Sequence, residues 1–216
     1  METYRNNKFK ALGGLKWALQ FGPDFEFLLT IDDDVYFSLP RAVQLLKAPH
    51  VFNISGANDG TLSPSKFGFR ISHEERFLAG SKTSCEPTRN PIERKYYLSW
   101  DEYPLPVFPE YISGMTTFYS RAAVREIYAA SPYVKHLAVD DVYLGIIAAK
   151  LGIPLTDLSA YVITEPDLDV GFPLAEGGTS GELIAMHLAG NVILQMSVLR
   201  EMHAKRMQIT RVEKNH

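Results

Sequence analysis

An α/β domain is predicted, and three observations predict it. Phe27-Leu28-Leu29-Thr30-Ile31 is an apolar run too short for a helix and flanked by turn residues, which favours a buried strand. Segments with helical spacing or helix caps stand on both sides of it, so strands alternate with helices. The chain has 216 residues, 46% of them apolar, enough to bury one core.

The elements follow in order. From Arg5 to Gln20, residues Phe9, Leu12, Leu15 and Leu19 recur at helical spacing and predict an amphipathic helix. The strand at Phe27–Ile31 ends abruptly in Asp32-Asp33-Asp34. After Val35-Tyr36-Phe37, Ser38 can cap a helix that has Pro40 in its first turn and runs to about Lys47. Residues 48–76 are polar, weakly patterned and broken by Gly and Pro, which predicts a long surface excursion. Tyr96 to Tyr111 is dense in aromatic residues and carries three prolines. It reads equally as a rigid loop for stacking on sugars and as a cluster at the edge of the core. Ser120 caps a helix from Arg121 to Ala130. Asp140-Asp141 open an apolar helix that Gly152 and Pro154 stop. A strand near Tyr161-Val162-Ile163 and a last helix from about Asn191 to Lys205 complete the expected domain, 1–206, followed by a polar tail, 207–216. There is no internal repeat and no low-complexity tract.

Composition narrows the function. Net charge is −3 with scattered Lys and Arg, so no basic stripe marks a nucleic-acid surface. No apolar run approaches the ~20 residues that span a bilayer. Met1 to Asn7 lacks the apolar core of a signal sequence, so any anchor or targeting element is expected outside this sequence. Cys85 is alone, which excludes an intrachain disulfide and suits either a reducing or an oxidising compartment. Asn53-Ile54-Ser55 is an N-glycosylation sequon.

Three places carry chemistry. Asp32, Asp33 and Asp34 repel one another, and folding gives no reason to put them directly after a buried strand. A hard divalent cation, Mn²⁺ or Mg²⁺, is the natural compensation. The alternative is a solvated acidic turn, but α/β sheets place ligands at the carboxyl ends of strands. Alternation points Asp32 and Asp34 the same way. Asp140 and Asp141 stand at a helix N-terminus, where the dipole favours the ionised form. They read either as capping residues or as the home of a general base. His187 follows Leu183-Ile184-Ala185-Met186 and is by itself either structural or a ligand.

Several motifs in one order then point to a family. Asp32-Asp33-Asp34, Lys95-Tyr96-Tyr97-Leu98-Ser99, Glu102-Tyr103-Pro104, Phe108-Pro109-Glu110-Tyr111-Ile112-Ser113-Gly114 and Asp140-Asp141-Val142-Tyr143-Leu144-Gly145 resemble the β-1,3-glycosyltransferases of family 31. These are the galactosyltransferase and N-acetylglucosaminyltransferase relatives that include brainiac and Fringe. Asp140 to Ile153 is nearest to the brainiac-like branch, and Glu2-Thr3-Tyr4-Arg5-Asn6 with Lys10 resembles the segment before the family's metal motif. The resemblance runs from about residue 2 to 199, interrupted at 48–76.

It implies a GT-A, Rossmann-like glycosyltransferase fold and an inverting hexosyltransferase. That enzyme would move Gal or GlcNAc from a UDP-sugar to a glycan on a glycoprotein or glycolipid, in β-1,3 linkage, with Mn²⁺ (or Mg²⁺). It implies Asp141 as catalytic base with Asp140 supporting it, and Asp34 and His187 as metal ligands. Asp32 and Asp33 would lie nearer the donor nucleotide, with Tyr96, Glu102, Tyr111 and Gly114 on the acceptor side. It implies work at the luminal face of the Golgi membrane, with a type II anchor, a stem and the first sheet strands expected upstream of Met1. The chain departs from the family at Tyr96, usually Trp, at Asp140, usually Glu outside the brainiac-like branch, and in the long 48–76 insertion. An inactive relative that binds a glycan or nucleotide sugar is the competing reading. A cytosolic acidic metal-binding module would explain the lone Cys but not the ordered motifs.

Overall fold

The computed structural model describes residues 6–22, 24–47, 75–164, 183–188, 196 and 200. Most of the expected 48–76 excursion, the sequon, most of the expected last helix and the polar tail lie outside the described residues, although Met196 and Arg200 are helical.

The described chain is a mixed α/β structure. Helix α1 (Asn7–Phe21) leads to β1 (Phe27–Ile31), the acidic turn, β2 (Val35–Phe37) and α2 (Leu39–Lys47). Then come β3 (Leu78–Thr83), β4 (Tyr111–Ser120), α3 (Arg121–Ala130) and α4 (Asp140–Leu151). Short strands β5 (Leu155–Asp157), β6 (Val162–Ile163) and β7 (Ala185–His187) follow. One sheet runs β1-β4-β3-β5 and a smaller one β2-β7-β6. Only β3–β5 and β6–β7 are parallel; the remaining pairs are antiparallel.

Local chemistry accounts for the helix ends. Ser120 leaves β4 in extended geometry, and its hydroxyl accepts from the N–H of Ala123 at 3.2 Å and of Phe77 at 3.1 Å. Gly152 ends α4 at φ 63°, and the Ile153 N–H returns to the Ala148 carbonyl at 2.9 Å. Helix α2 begins directly after Ser38, with Pro40 in its first turn.

The four-stranded sheet is covered on both faces. Leu78 and Tyr119 face a core shared with α1, α3 and α4, around Leu15, Val124, Tyr143 and Ile147. Ala79 and Phe118, their neighbours in the chain, face the other way, onto α2, Tyr161, Val162 and Ala185. Strand β4 is therefore buried along nearly all its length and shows no apolar–polar alternation. That is why neither it nor β3 is legible in sequence. Strand β7 has three residues and exists by pairing with β2 and β6.

The aromatic stretch is divided between the core and the surface. Leu98, Tyr103 and Phe108 are buried in the core, with the Tyr103 and Phe108 rings 4.8 Å apart. Tyr96 and Trp100 are exposed, 43% and 58%.

Helix α4 lies hard against the start of β4. A Cβ on Gly145 would overlap Tyr111 Cβ and stand 3.2 Å from its Cα. Neither atom is the end of a flexible side chain, so helix or strand must move. Gly145→Ala gains up to ~1 kcal/mol of helix propensity, but overpacking of this kind costs ~1–3 kcal/mol. We expect net destabilisation, with melting lowered by several degrees. A Gly145→Ala chain that melts at or above the wild-type temperature would show that α4 is free to shift.

Candidate active site

The acidic triplet forms the turn that carries the chain from one sheet to the other. Asp32 still belongs to the β1 ladder, since its N–H donates to the Met115 carbonyl at 3.0 Å. Asp34 belongs to the smaller sheet, where its carbonyl accepts from the Leu188 N–H at 2.8 Å. The β2–β7 register pairs Val35 with His187. It brings His187 Nε2 to 3.2 Å from Asp34 Oδ2, with both side chains half-buried. Residues 153 positions apart thus share one corner of the fold.

The second carboxylate pair enters from the opposite face of the four-stranded sheet. Val139 at the start of α4 offers no side-chain cap. Asp141 supplies it instead: its Oδ1 accepts from the Val142 N–H at 2.7 Å, and its Oδ2 accepts from the Gly114 N–H at 3.1 Å. Of the two carboxylates, Asp141 is therefore the one whose side chain satisfies an N–H of the first turn of α4. A Cβ at Gly114 would sit 3.3 Å from Asp141 Cβ, tight enough that a side chain there would push the carboxylate away.

A cleft of about 490 Å³ joins the two corners. Asp32, Asp34, Asp140, Asp141 and His187 line it together with Tyr96, Tyr111 and Gly114. A second hollow of about 400 Å³, between α1, α4 and the sheet, is lined by Asp33 and Lys10 and shares Asp32, Gly114, Asp140 and Asp141 with the first. Asp32 and Asp34 do face one space, while Asp33 faces another.

Burial and mutual repulsion tune these groups. Desolvation, then the neighbouring Asp140 charge, push the Asp141 carboxyl up to about 6, against the opposing pull of the Val142 and Gly114 N–H groups. Asp32 is also raised, by burial first and then by Asp34 and Asp140, with His187 acting the other way.

Asp34 and His187 are the residues that could hold a divalent metal. A carboxylate oxygen and an imidazole nitrogen suit Mn²⁺, and Mg²⁺ less well. Among the described residues, no group of three His, Cys, Asp or Glu side chains surrounds one point. Two protein ligands leave the other positions to water and to ligand oxygens, the way hard divalent ions accompany phosphates.

Glu102 is not brought to this cleft. Its Oε2 accepts from the N–H of Ser99 at 3.0 Å and from the Ser99 hydroxyl at 3.2 Å, and the Ser99 hydroxyl accepts from the Glu102 N–H. That is the reciprocal bracing of a capping box, used here to fix a turn. Gly114, expected on the acceptor side, has Asp141 as its observed partner. Cys85, Glu86 and Thr88 line the cleft without any sequence signal that singles them out, because their place depends on how the 84–110 segment folds back.

The family described as Galactosyltransferase matches residues 1–159. The chain is 34% identical over 155 residues to the β-1,3-galactosyltransferase brn of Drosophila melanogaster, covering 71% of this chain and 41% of that protein. It is 29% identical over 154 residues to the lactosylceramide 1,3-N-acetyl-β-D-glucosaminyltransferase of Mus musculus, 71% of this chain and 36% of that one. Against the human UDP-GalNAc:β-1,3-N-acetylgalactosaminyltransferase 1 it is 27% identical over 146 residues, 68% and 38%. The chain spans less than half the length of these relatives.

Proposed function

The chain belongs to the galactosyltransferase family, and from that premise we propose that it carries the catalytic site of an inverting β-1,3-hexosyltransferase with a GT-A fold. Its donor would be a UDP-sugar and its acceptor a glycan on a glycoprotein or glycolipid, worked on at the luminal face of the Golgi membrane. No helix among the described residues is long and apolar enough to cross a membrane.

One observation carries the reading. A single cleft receives Asp141 from α4 on one side of the sheet and the Asp34–His187 pair from the smaller sheet on the other. Inverting transfer needs one base for the acceptor hydroxyl and, across the reacting carbon, a place for the leaving diphosphate. A carboxyl raised to about 6 is still mostly ionised at neutral pH yet more basic than an ordinary one, which suits it to take that proton. Gly114 and Val142 N–H groups hold it in place, and the Asp140 charge raises its basicity. Asp34 and His187 would hold Mn²⁺, which when bound would supply positive charge against the departing UDP. The walls around Tyr96, Phe108 and Tyr111 would exclude water that otherwise competes for the donor.

The relatives' names differ in their sugar, so the test is a donor panel. UDP release and product linkage are measured with UDP-Gal, UDP-GalNAc and UDP-GlcNAc, with Mn²⁺ and with chelator, on neutral glycan acceptors. Metal-dependent β-1,3 transfer from one donor is expected. Binding of UDP without transfer from any of the three would instead support a non-catalytic relative.

A further inference from the structure

We infer that Arg89 is a positioning residue that holds one wall of the cleft, and that this wall meets the acceptor; this rests on the transferase reading above. Residues 84–110 contain no helix or strand, yet they supply Cys85, Glu86, Thr88, Lys95, Tyr96 and Phe108 to the cleft lining. A segment of that length without a ladder must have its backbone groups satisfied in some other way.

Arg89 does this from inside the loop. Its Nη1 donates to the carbonyls of Leu98 and Ser99, both at 2.9 Å. Its Nη2 donates to the carbonyls of Tyr103 at 2.8 Å and Leu105 at 2.9 Å. The guanidinium lies over the Trp100 ring, 3.9 Å from its centre. One planar group therefore ties together four carbonyls spread over eight positions and stacks on the exposed ring between them. The Leu98 N–H closes the loop on its other side, donating to the Thr88 carbonyl at 3.0 Å. Lys95 and Tyr96, the wall residues that face the cleft, lie inside the turn so closed.

Arg89 is not among the residues lining the cleft, so it acts through the wall. The donor corner, Asp34 with His187, and the base, Asp141 on Gly114, are held by bonds in which Arg89 takes no part. Its loss should therefore separate acceptor binding from donor binding. Lysine is no substitute, because a compact ammonium cannot present two forks to four carbonyls or lie flat on an indole.

The test uses the full chain and two readouts. Amide hydrogen exchange of Arg89→Ala is expected to rise across 88–108 and stay unchanged in α4 and β4. Acceptor KM is expected to rise ~10- to 100-fold, the scale of a misplaced binding group, while donor KM stays within twofold. Arg89→Lys should show the same selective pattern at smaller size, and it carries the test if Arg89→Ala does not fold. Trp100→Ala, which removes the stacking but leaves the four bonds, should be milder than either. Unchanged exchange at 88–108, or donor and acceptor KM rising together, overturns the proposal. If the wild-type chain transfers no sugar while exchange responds as expected, the transferase reading fails and Arg89 stands as the residue that orders this wall.

Discussion

Asp141→Asn is expected to fold, to bind UDP, and to lose ~10²–10⁴ of its transfer rate, the usual cost of removing a general base. In the wild type, kcat/KM should fall as pH drops below about 6, where the Asp141 carboxyl protonates. The same group makes a stability prediction of definite sign. Its folded pKa is raised to about 6 from an ordinary 3.8, so its stabilising contribution is full below pH ~4 and is lost as pH rises through about 6. The ceiling on that loss is ~3 kcal/mol, from about two pKa shifts of ~1.4 kcal/mol each. Asparagine escapes it but keeps only one acceptor oxygen for the Gly114 and Val142 N–H groups, a loss of ~1–2 kcal/mol at every pH. The melting temperature of Asp141→Asn relative to wild type should therefore climb between pH 4 and pH 7. A flat difference over that range, or normal transfer by the variant, would remove Asp141 from the base position. Asp140→Asn should be milder: it takes away the charge that raises its neighbour and so shifts the acid limb of the rate profile to lower pH.

Asp34→Ala is expected to abolish metal-dependent transfer, by ~10²-fold or more for a few kcal/mol of lost charge stabilisation. The fold should survive, because the Leu188 N–H bonds to the Asp34 backbone carbonyl and not to its side chain. A half-exposed Asp–His ion pair with only a structural role would give a different result. Its removal would cost no more than ~1 kcal/mol of stability and leave turnover intact. Paramagnetic broadening of the His187 ring signals by Mn²⁺ gives a second readout. It should be strong in the wild type and nearly absent in Asp34→Ala. Full turnover in chelator, or undiminished broadening in the variant, would show that the metal, if used, binds elsewhere.

What can be read in the residues alone is what local chemistry controls. The apolar run Phe27–Ile31 breaking into three carboxylates announces a strand end under electrostatic strain, and the structure has β1 ending there. Ser120 and Gly152 mark helix ends because a cap is a contact over three or four residues. Asp140 and Asp141 are visible as a pair at the start of α4 for the same reason. Non-local contacts are not written that way. Strand β4 is buried on both faces and loses the alternation that would reveal it. Strand β7 has too few residues to show a period, yet its pairing with β2 sets His187 against Asp34. The division of labour at Asp141 depends on Gly114, 27 positions earlier, coming close enough to donate its N–H. Arg89 is one scattered cation among many until the folded loop lays four carbonyls around it. Periodicity and capping act within a few residues of chain, whereas register, burial on two faces and the convergence of distant side chains arise only when the whole core closes.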